Sequence, residues 1–391
     1  MTVDEAQVLI DKLSLLKTNG SLNESHEFKQ EALRLSKALV LSLQEPESVA
    51  IELAFSAVIP MSARIAVDLN LFKGRRVIDQ HVPITSLLVL DVNNHPERIL
   101  RPLADASFVK EVDEEMWEAT SISLAMAKPG VAAGHRVLFE TAVGAASKAP
   151  KFFKEAGYQC PTDPRNGLMQ YANQTKLPSF EYFSTVPFII KNFNTFMGNT
   201  MGARCYWVDW FPVAEQILNG ASTEKDSVLM VDVGGGRGHD LQALYEKFPN
   251  QGKLILQDLP HVLEDAEELD ATIQRCGYDF FTAQPIHGAR VYFFHHILHD
   301  WSDEKCLEIL QRVKSAMRPG YSKLLLHEMI VPAKGATGFH AILDLTMMAF
   351  NCGQERTGKE WKSLLDRAGF QHVKVWLPPQ GDADGIVEAV V

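Results

Sequence analysis

Three histidines, at 295, 296 and 299, lie in the segment HHILHDWSDEKCLEIL, where an apolar strand-like run gives way abruptly to a helical pattern. Imidazoles in such a place can bind a metal or exchange protons near neutral pH. Ser302 is placed to cap the helix that follows, and Asp303 and Glu304 fall in its first turn, where carboxylates suit the helix dipole. His299 is therefore expected in a loop at the C-terminal end of a strand, the edge of an open α/β sheet that faces the ligand crevice. Strand alternation sends His295 and His296 to opposite faces and leaves a two-histidine site without a clear third ligand, so no metal is expected.

A second candidate site is VDVGGGRGH, whose glycines at 234, 235, 236 and 238 follow a short apolar run and precede a helical stretch. Without a Cβ the backbone can turn sharply and approach a ligand, and a helix start offers unpaired amides. The spacing is G-x-G-x-G, and the third glycine of a dinucleotide fingerprint would fall on His239, which favours a cofactor without a pyrophosphate. Asp258 ends the next strand, twenty residues after Gly238. There it can accept both ribose hydroxyls of an adenosyl ligand, or cap a helix ahead of Pro260. Asp232 can meet the amino-acid end of such a cofactor or satisfy the amides of the turn. Asp279 and Phe280 open a later loop, where a carboxylate can reach the adenine amine and a ring can cover its face.

The elements that must hold these residues are legible in the period. From Ser227 onward VLMVDV, KLILQDL, VYFFHHI, KLLLHEM, HVKVWL and IVEAVV read as strands between helical stretches such as HDLQALYEKF, which predicts an α/β domain with a mainly parallel sheet and helices on both faces. Residues 126–222 read as a helical connector with loops at Lys128-Pro129-Gly130 and Pro161–Pro164. Its aromatic and Met-rich side chains, among them Phe180, Phe183, Phe193, Met201 and Trp207, suit the wall of a pocket for a flat apolar substrate.

Residues 1–125 keep helical spacing at Ala6, Leu9, Leu13 and Leu16 and again at Ala32, Leu35, Leu39 and Leu43, and Pro60 is expected to split the apolar stretch from Val49 to Phe72 into two helices. After HPERILRPLADASF, the run VKEVDEEMWEAT alternates around a charged turn at Asp113 to Glu115, a hairpin behind a helix in the winged-helix manner. Such a module serves DNA binding or dimerisation. The net charge of −11 repels phosphate backbones and anionic lipids, so dimerisation is expected, with no nucleic acid or membrane partner. The domains are then 1–125, 126–222 and 223–391.

At 391 residues with 46% apolar and 22% charged side chains, the composition is that of an ordinary globular protein. Five scattered cysteines, at 160, 205, 276, 306 and 352, show no C-x-x-C spacing and read as reduced thiols of a cytoplasmic protein. The first residues lack a basic n-region, so no signal peptide is expected, and no run approaches the roughly 18 apolar residues of a membrane span.

Six motifs in order, VDVGGGRGH, QDLPHV, YDFF, HHILHDWSDEKC, HEMIVP and GQERTGKEW, run from Val231 to Trp361, with RIAVDLNLF as a weaker match upstream. Together they resemble the plant- and fungal-type family of small-molecule O-methyltransferases related to the caffeic acid and flavonoid enzymes. The resemblance implies a Rossmann-like domain that binds S-adenosyl-L-methionine and an N-terminal winged-helix-like dimerisation domain. It places the general base on His299 and the flanking carboxylates on Glu328 and Glu355. Asp300 resembles the family's Asp after the base, Met197 in FNTFMGN aligns with a substrate-lining methionine, and His295 stands where plant enzymes carry a cofactor-contacting lysine.

The chemistry of the trio is coherent. A sulfonium methyl is already electrophilic, so the task is to remove a proton from the acceptor hydroxyl, which histidine can take and carboxylates can then balance. The expected acceptor is a hydroxyl of an aromatic or polyketide-like molecule. The rival within the family is a pericyclase that keeps the cofactor without transferring its methyl, and the intact trio favours methyl transfer.

Overall fold

The computed structural model describes residues 3–19, 26–73, 97–114, 116–200, 206–224, 226–264, 266, 269–379 and 384–391. Glu115, Met201 and Cys205, named above, lie outside them. The chain forms two compact units, Met1–Ala127 and Lys128–Val391.

The first unit is mostly helical, with helices Val3–Asn19, His26–Leu43, Pro46–Phe55, Val58–Asp68 and Glu97–Asp105. The hairpin after the last of these is present: β1 (Val109–Asp113) pairs antiparallel with β2 (Met116–Ala119). Thr120 then caps helix Ser121–Met126, accepting from the amides of Ile122 and Ser123 while the Ser123 hydroxyl accepts from the Thr120 amide. The split expected at Pro60 falls upstream, at Ser56 and Ala57, and Pro60 sits in the first turn of the second helix. A first-turn proline loses no helical hydrogen bond, but its ring cannot tolerate a helical carbonyl four residues earlier, so the break lands there. Among the described residues no single helix is long and apolar enough to cross a membrane.

The second unit is built on a seven-stranded sheet. Its strands are β3 (Val228–Val233), β4 (Lys253–Asp258), β5 (Gln274–Gly277), β6 (Val291–His295), β7 (Lys323–Glu328), β10 (Gln371–Trp376) and β11 (Gly385–Val390). The order is β10-β11-β7-β6-β3-β4-β5, parallel from β7 to β5, with β11 antiparallel to both its neighbours. A separate parallel pair, β8 (Ile330–Val331) with β9 (Arg356–Thr357), sets Ile330 opposite Arg356.

The strands are apolar throughout because both faces are covered. Met230, Leu256, Phe293 and Leu325 face a core completed by Trp207, Phe211, Leu241 and Leu244. Val231, Ile255, Tyr292 and Leu324 face the other, completed by Ile309, Leu310, Trp361 and Leu365. Alternation along each strand thus supplies two cores, as parallel sheets require, and each such buried side chain contributes roughly 1.5–3 kcal/mol.

The chain runs outward through β4 and β5 and then returns to the other side of β3 as β6, so the order reverses between β3 and β6. That reversal opens a crevice at the C-terminal strand ends. The connector helices form a third core with helix Gly338–Asn351: Phe183 meets Phe350 edge-on at 5.6 Å, and the Ser179 amide donates to Asn351 Oδ1 at 2.9 Å.

Candidate active site

At the reversal, β3 leads into a turn where Gly234, Gly236 and Gly238 all have positive φ, at 75°, 58° and 78°. Gly238 is the N-cap of helix His239–Lys247. A Cβ on Gly234 would lie 2.7 Å from Ile297 Cδ1, so the histidine loop packs directly on this turn, with Phe280 Cε1 3.7 Å from the same point. Asp279 steadies Phe280's loop by accepting from the Phe281 amide at 2.9 Å.

Asp258 accepts from the Gly236 amide at 2.9 Å and from the Leu259 amide at 2.7 Å. Burial raises its pKa, and the two amides pull it back. The N-cap of helix Pro260–Leu263 is Leu259, so Asp258 does not cap that helix. Asp232 is fully buried under Gly235, and neither carboxylate oxygen finds a hydrogen bond, so the turn amides do not satisfy it. Burial, and then the charge of Asp240, hold its pKa well above the usual carboxylate range. An orphaned acid beneath a glycine turn fits a ligand that brings its own ammonium. The amino-acid end of S-adenosylmethionine is such a group.

His299 lies in the short 3-10 turn Leu298–Asp300 and is 6% exposed. Its Nδ1 is 2.7 Å from Glu355 Oε1, and its Nε2 is 3.8 Å from Asp300 Oδ1. Glu328, the last residue of β7, accepts from the amides of Ile297 and Leu298 at 3.2 and 2.9 Å, so it anchors the turn that carries His299. The β8–β9 pair brings the two glutamates together, since Glu355 directly precedes β9 and Glu328 stands two residues before β8. Burial opposes the imidazolium, but the charges of Asp300 and Glu328 and the bond to Glu355 outweigh it and push His299 up to about 10. Burial pushes Asp300 up to about 7 against the pull of His299.

Several supporting residues escape a reading of the sequence. Arg356, fully buried, donates to the carbonyls of Leu298 and Trp301 at 3.1 and 3.0 Å and to Asp303 Oδ1 at 2.9 Å, so its ionic partner is Asp303. Asp344 accepts from the Glu355 amide at 2.8 Å. Membership of Arg356 in the GQERT motif is the only trace of this in the sequence. Ser302 occupies the N-cap of Asp303–Ala316, but its hydroxyl makes no capping bond. Met197, on helix Pro187–Thr200, is 42% exposed.

The grounds for excluding a metal fail. β6 ends at His295, and His296 takes a φ of 51°, which stops the alternation and leaves the two rings 4.7 Å apart. Carboxylates are also at hand, Asp240 on one side and Asp384 on the other. His295 Nδ1 is already taken by Asp240 Oδ2 at 2.7 Å.

Residues 180–371 match the model of the O-methyltransferase domain family. The chain is 48% identical to O-methyltransferase penC of Penicillium thymicola over 99% of this chain and 97% of that one. It is equally 48% identical to O-methyltransferase asqD of Emericella nidulans over 85% and 86%. Among solved structures, LepI in complex with S-adenosylmethionine superposes with a TM-score of 0.86 at 28% identity over 99% of each chain. OxaC in complex with sinefungin and meleagrin does so with 0.86 at 26% over 100% and 99%. With that likeness along its whole length, the chain belongs to the S-adenosylmethionine-dependent O-methyltransferases.

Proposed function

We propose that this enzyme methylates a hydroxyl of an aromatic or polyketide-like small molecule, with His299 as general base. The observation that carries the reading is the His299–Glu355 pair at 2.7 Å, set on a loop that packs against the glycine turn. S-adenosylmethionine supplies an electrophilic methyl group when bound. Gly234, Gly236, Asp232, Asp258, Asp279 and Phe280 would hold it, with His295 behind them.

The protein's part is proton management. An ionised carboxylate only accepts, so Glu355 fixes the proton on Nδ1 and leaves Nε2 for the acceptor hydroxyl. A phenol has a pKa of about 10, and the imidazolium here is pushed up to about 10 as well. Proton transfer between the two is then nearly balanced, and the cation formed lies among Asp300, Glu328 and Glu355. Met197 and Asp300 would line the acceptor's site.

A second reading, a cofactor-retaining pericyclase, draws on the 28% identity and TM-score of 0.84 to a structure described as a pericyclic reaction enzyme. The test is mass spectrometry with methyl-deuterated cofactor and a panel of phenolic acceptors. Products carrying the label support methyl transfer, and a product isomeric with its substrate overturns it.

The same proposal has the enzyme act as a cytoplasmic homodimer. Helix Pro46–Phe55 has no buried residue although Ile51, Leu53 and Phe55 lie on it, a face that suits a second copy of the chain. Light scattering should give twice the mass of one chain. A monomer with full activity would refute the dimer.

A further inference from the structure

Beside the base lies a second polar cluster that proton transfer does not use. Two triads, Asp240–His295–His327 and His295–His296–Asp384, each bring three ligand atoms within 4.8 Å of one another. The bond from His295 Nδ1 to Asp240 Oδ2 decides between them. It commits that nitrogen and that carboxylate to each other and leaves His295 Nε2 buried with no hydrogen bond. His296 Nε2 is likewise buried without a hydrogen bond, although Asp384 Oδ2 is only 3.2 Å away.

A buried nitrogen left without a partner costs roughly 1–3 kcal/mol. Two of them lie beside the buried Asp384, so one ion held there would satisfy both nitrogens. A four-coordinate zinc ion holds nitrogen and oxygen ligands at about 2.0–2.2 Å, which puts the ligand atoms roughly 3.3 Å from each other. The 3.2 Å approach of His296 to Asp384 has that spacing and lacks hydrogen-bond geometry. An aspartate behind the liganding imidazole is also the usual device for fixing its tautomer and its aim. Asp240 stands in that position behind His295.

We infer that His295 Nε2, His296 Nε2 and the Asp384 carboxylate form a zinc site, with Asp240 orienting His295. The ion would fasten the end of β6 to the residue that enters β11, and it would fix His296, whose ring lies 4.9 Å from that of His299.

The test uses full-length, tag-free protein stripped with a chelator, reloaded with zinc, dialysed and assayed by plasma mass spectrometry. A parallel titration with cobalt reads the coordination geometry in the visible spectrum. The expected result is stoichiometric zinc, cobalt bands of a four-coordinate ion and a melting temperature that rises on reloading. In His296→Gln and Asp384→Asn the affinity should drop roughly tenfold or more and the melting shift should vanish. The His296 side chain is 29% exposed, so His296→Gln carries the test if the buried Asp384→Asn does not fold. Substoichiometric zinc in the wild type, or undiminished zinc in His296→Gln, overturns the site.

Discussion

Gly353 lies against the backbone of His299. A Cβ at 353 would overlap the His299 carbonyl oxygen and come within 2.8 Å of the Asp300 carbonyl oxygen, and the neighbouring Gln354 amide donates to His299 O at 2.9 Å. Gly353→Ala must therefore move the loop that holds the base. A displacement of about 1 Å can cost roughly 10²-fold in rate, so turnover should fall by that order while cofactor affinity stays near wild type. Single-turnover kinetics with calorimetry checks this, and an unchanged rate would show that the loop yields without shifting His299.

The carboxylates around His299 set its pH dependence. In chelator-treated protein the neutral imidazole gains population as pH rises toward about 10, so kcat/KM should climb through the neutral and alkaline range. Glu355→Gln removes one of the charges that raise the pKa, so the rising limb should move to lower pH, while its plateau drops by roughly 10²-fold or more as the tautomer is lost. Linkage fixes the sign for stability. Asp300 is raised from 3.8 to about 7, and His299 from 6.5 to about 10, so both groups favour the fold when protonated. Their contribution should be lost as pH rises through those windows, which melting curves of the cofactor-free protein at a series of pH values would read.

Asp258→Ala removes the acceptor proposed for the ribose hydroxyls as well as the partner of the Gly236 amide. Each charge-assisted bond contributes roughly 1.5–3 kcal/mol, and about 1.4 kcal/mol is tenfold in affinity. Calorimetry should show cofactor binding weakened at least tenfold. Undiminished binding would remove Asp258 from the cofactor site and leave it as a brace for the turn.

Arg356 has no exposed surface and joins Leu298, Trp301 and Asp303. Arg356→Ala takes the guanidinium from the carbonyls of Leu298 and Trp301, while the part-exposed Asp303 keeps Arg367, and a buried acceptor left unsatisfied costs about 1–3 kcal/mol. Urea unfolding should show a loss of that size. A loss well under 1 kcal/mol would mean that water replaces the guanidinium.

The parallel core was legible because strands buried on both faces write themselves as apolar runs, as VLMVDV and KLLLHE do. β5 was not, since Gln274–Gly277 is a four-residue edge strand with polar side chains and no apolar period. The glycine turn, His299, Glu328 and Glu355 could be picked out by motif, yet the division of labour between the glutamates could not. One binds the imidazole and the other binds the turn beneath it, a difference set by the β8–β9 ladder rather than by residue type. The clustering of His295, His296 and Asp384 was not legible for a local reason. A strand period assumes extended backbone, and His296 leaves it with φ at 51°.

The contact of Phe183 with Phe350 couples the connector helices to the segment that carries Glu355. Phe183 belongs to the connector helices, and Phe350 stands five residues before Glu355 on the same continuous segment. A mutation that reshapes the aromatic wall for a bulkier acceptor will be felt at the carboxylate that aims the base. New specificity in this enzyme should therefore arise through paired changes, one on each side of that ring contact, and single-site libraries confined to the wall should yield variants that accept more molecules and turn each of them over more slowly.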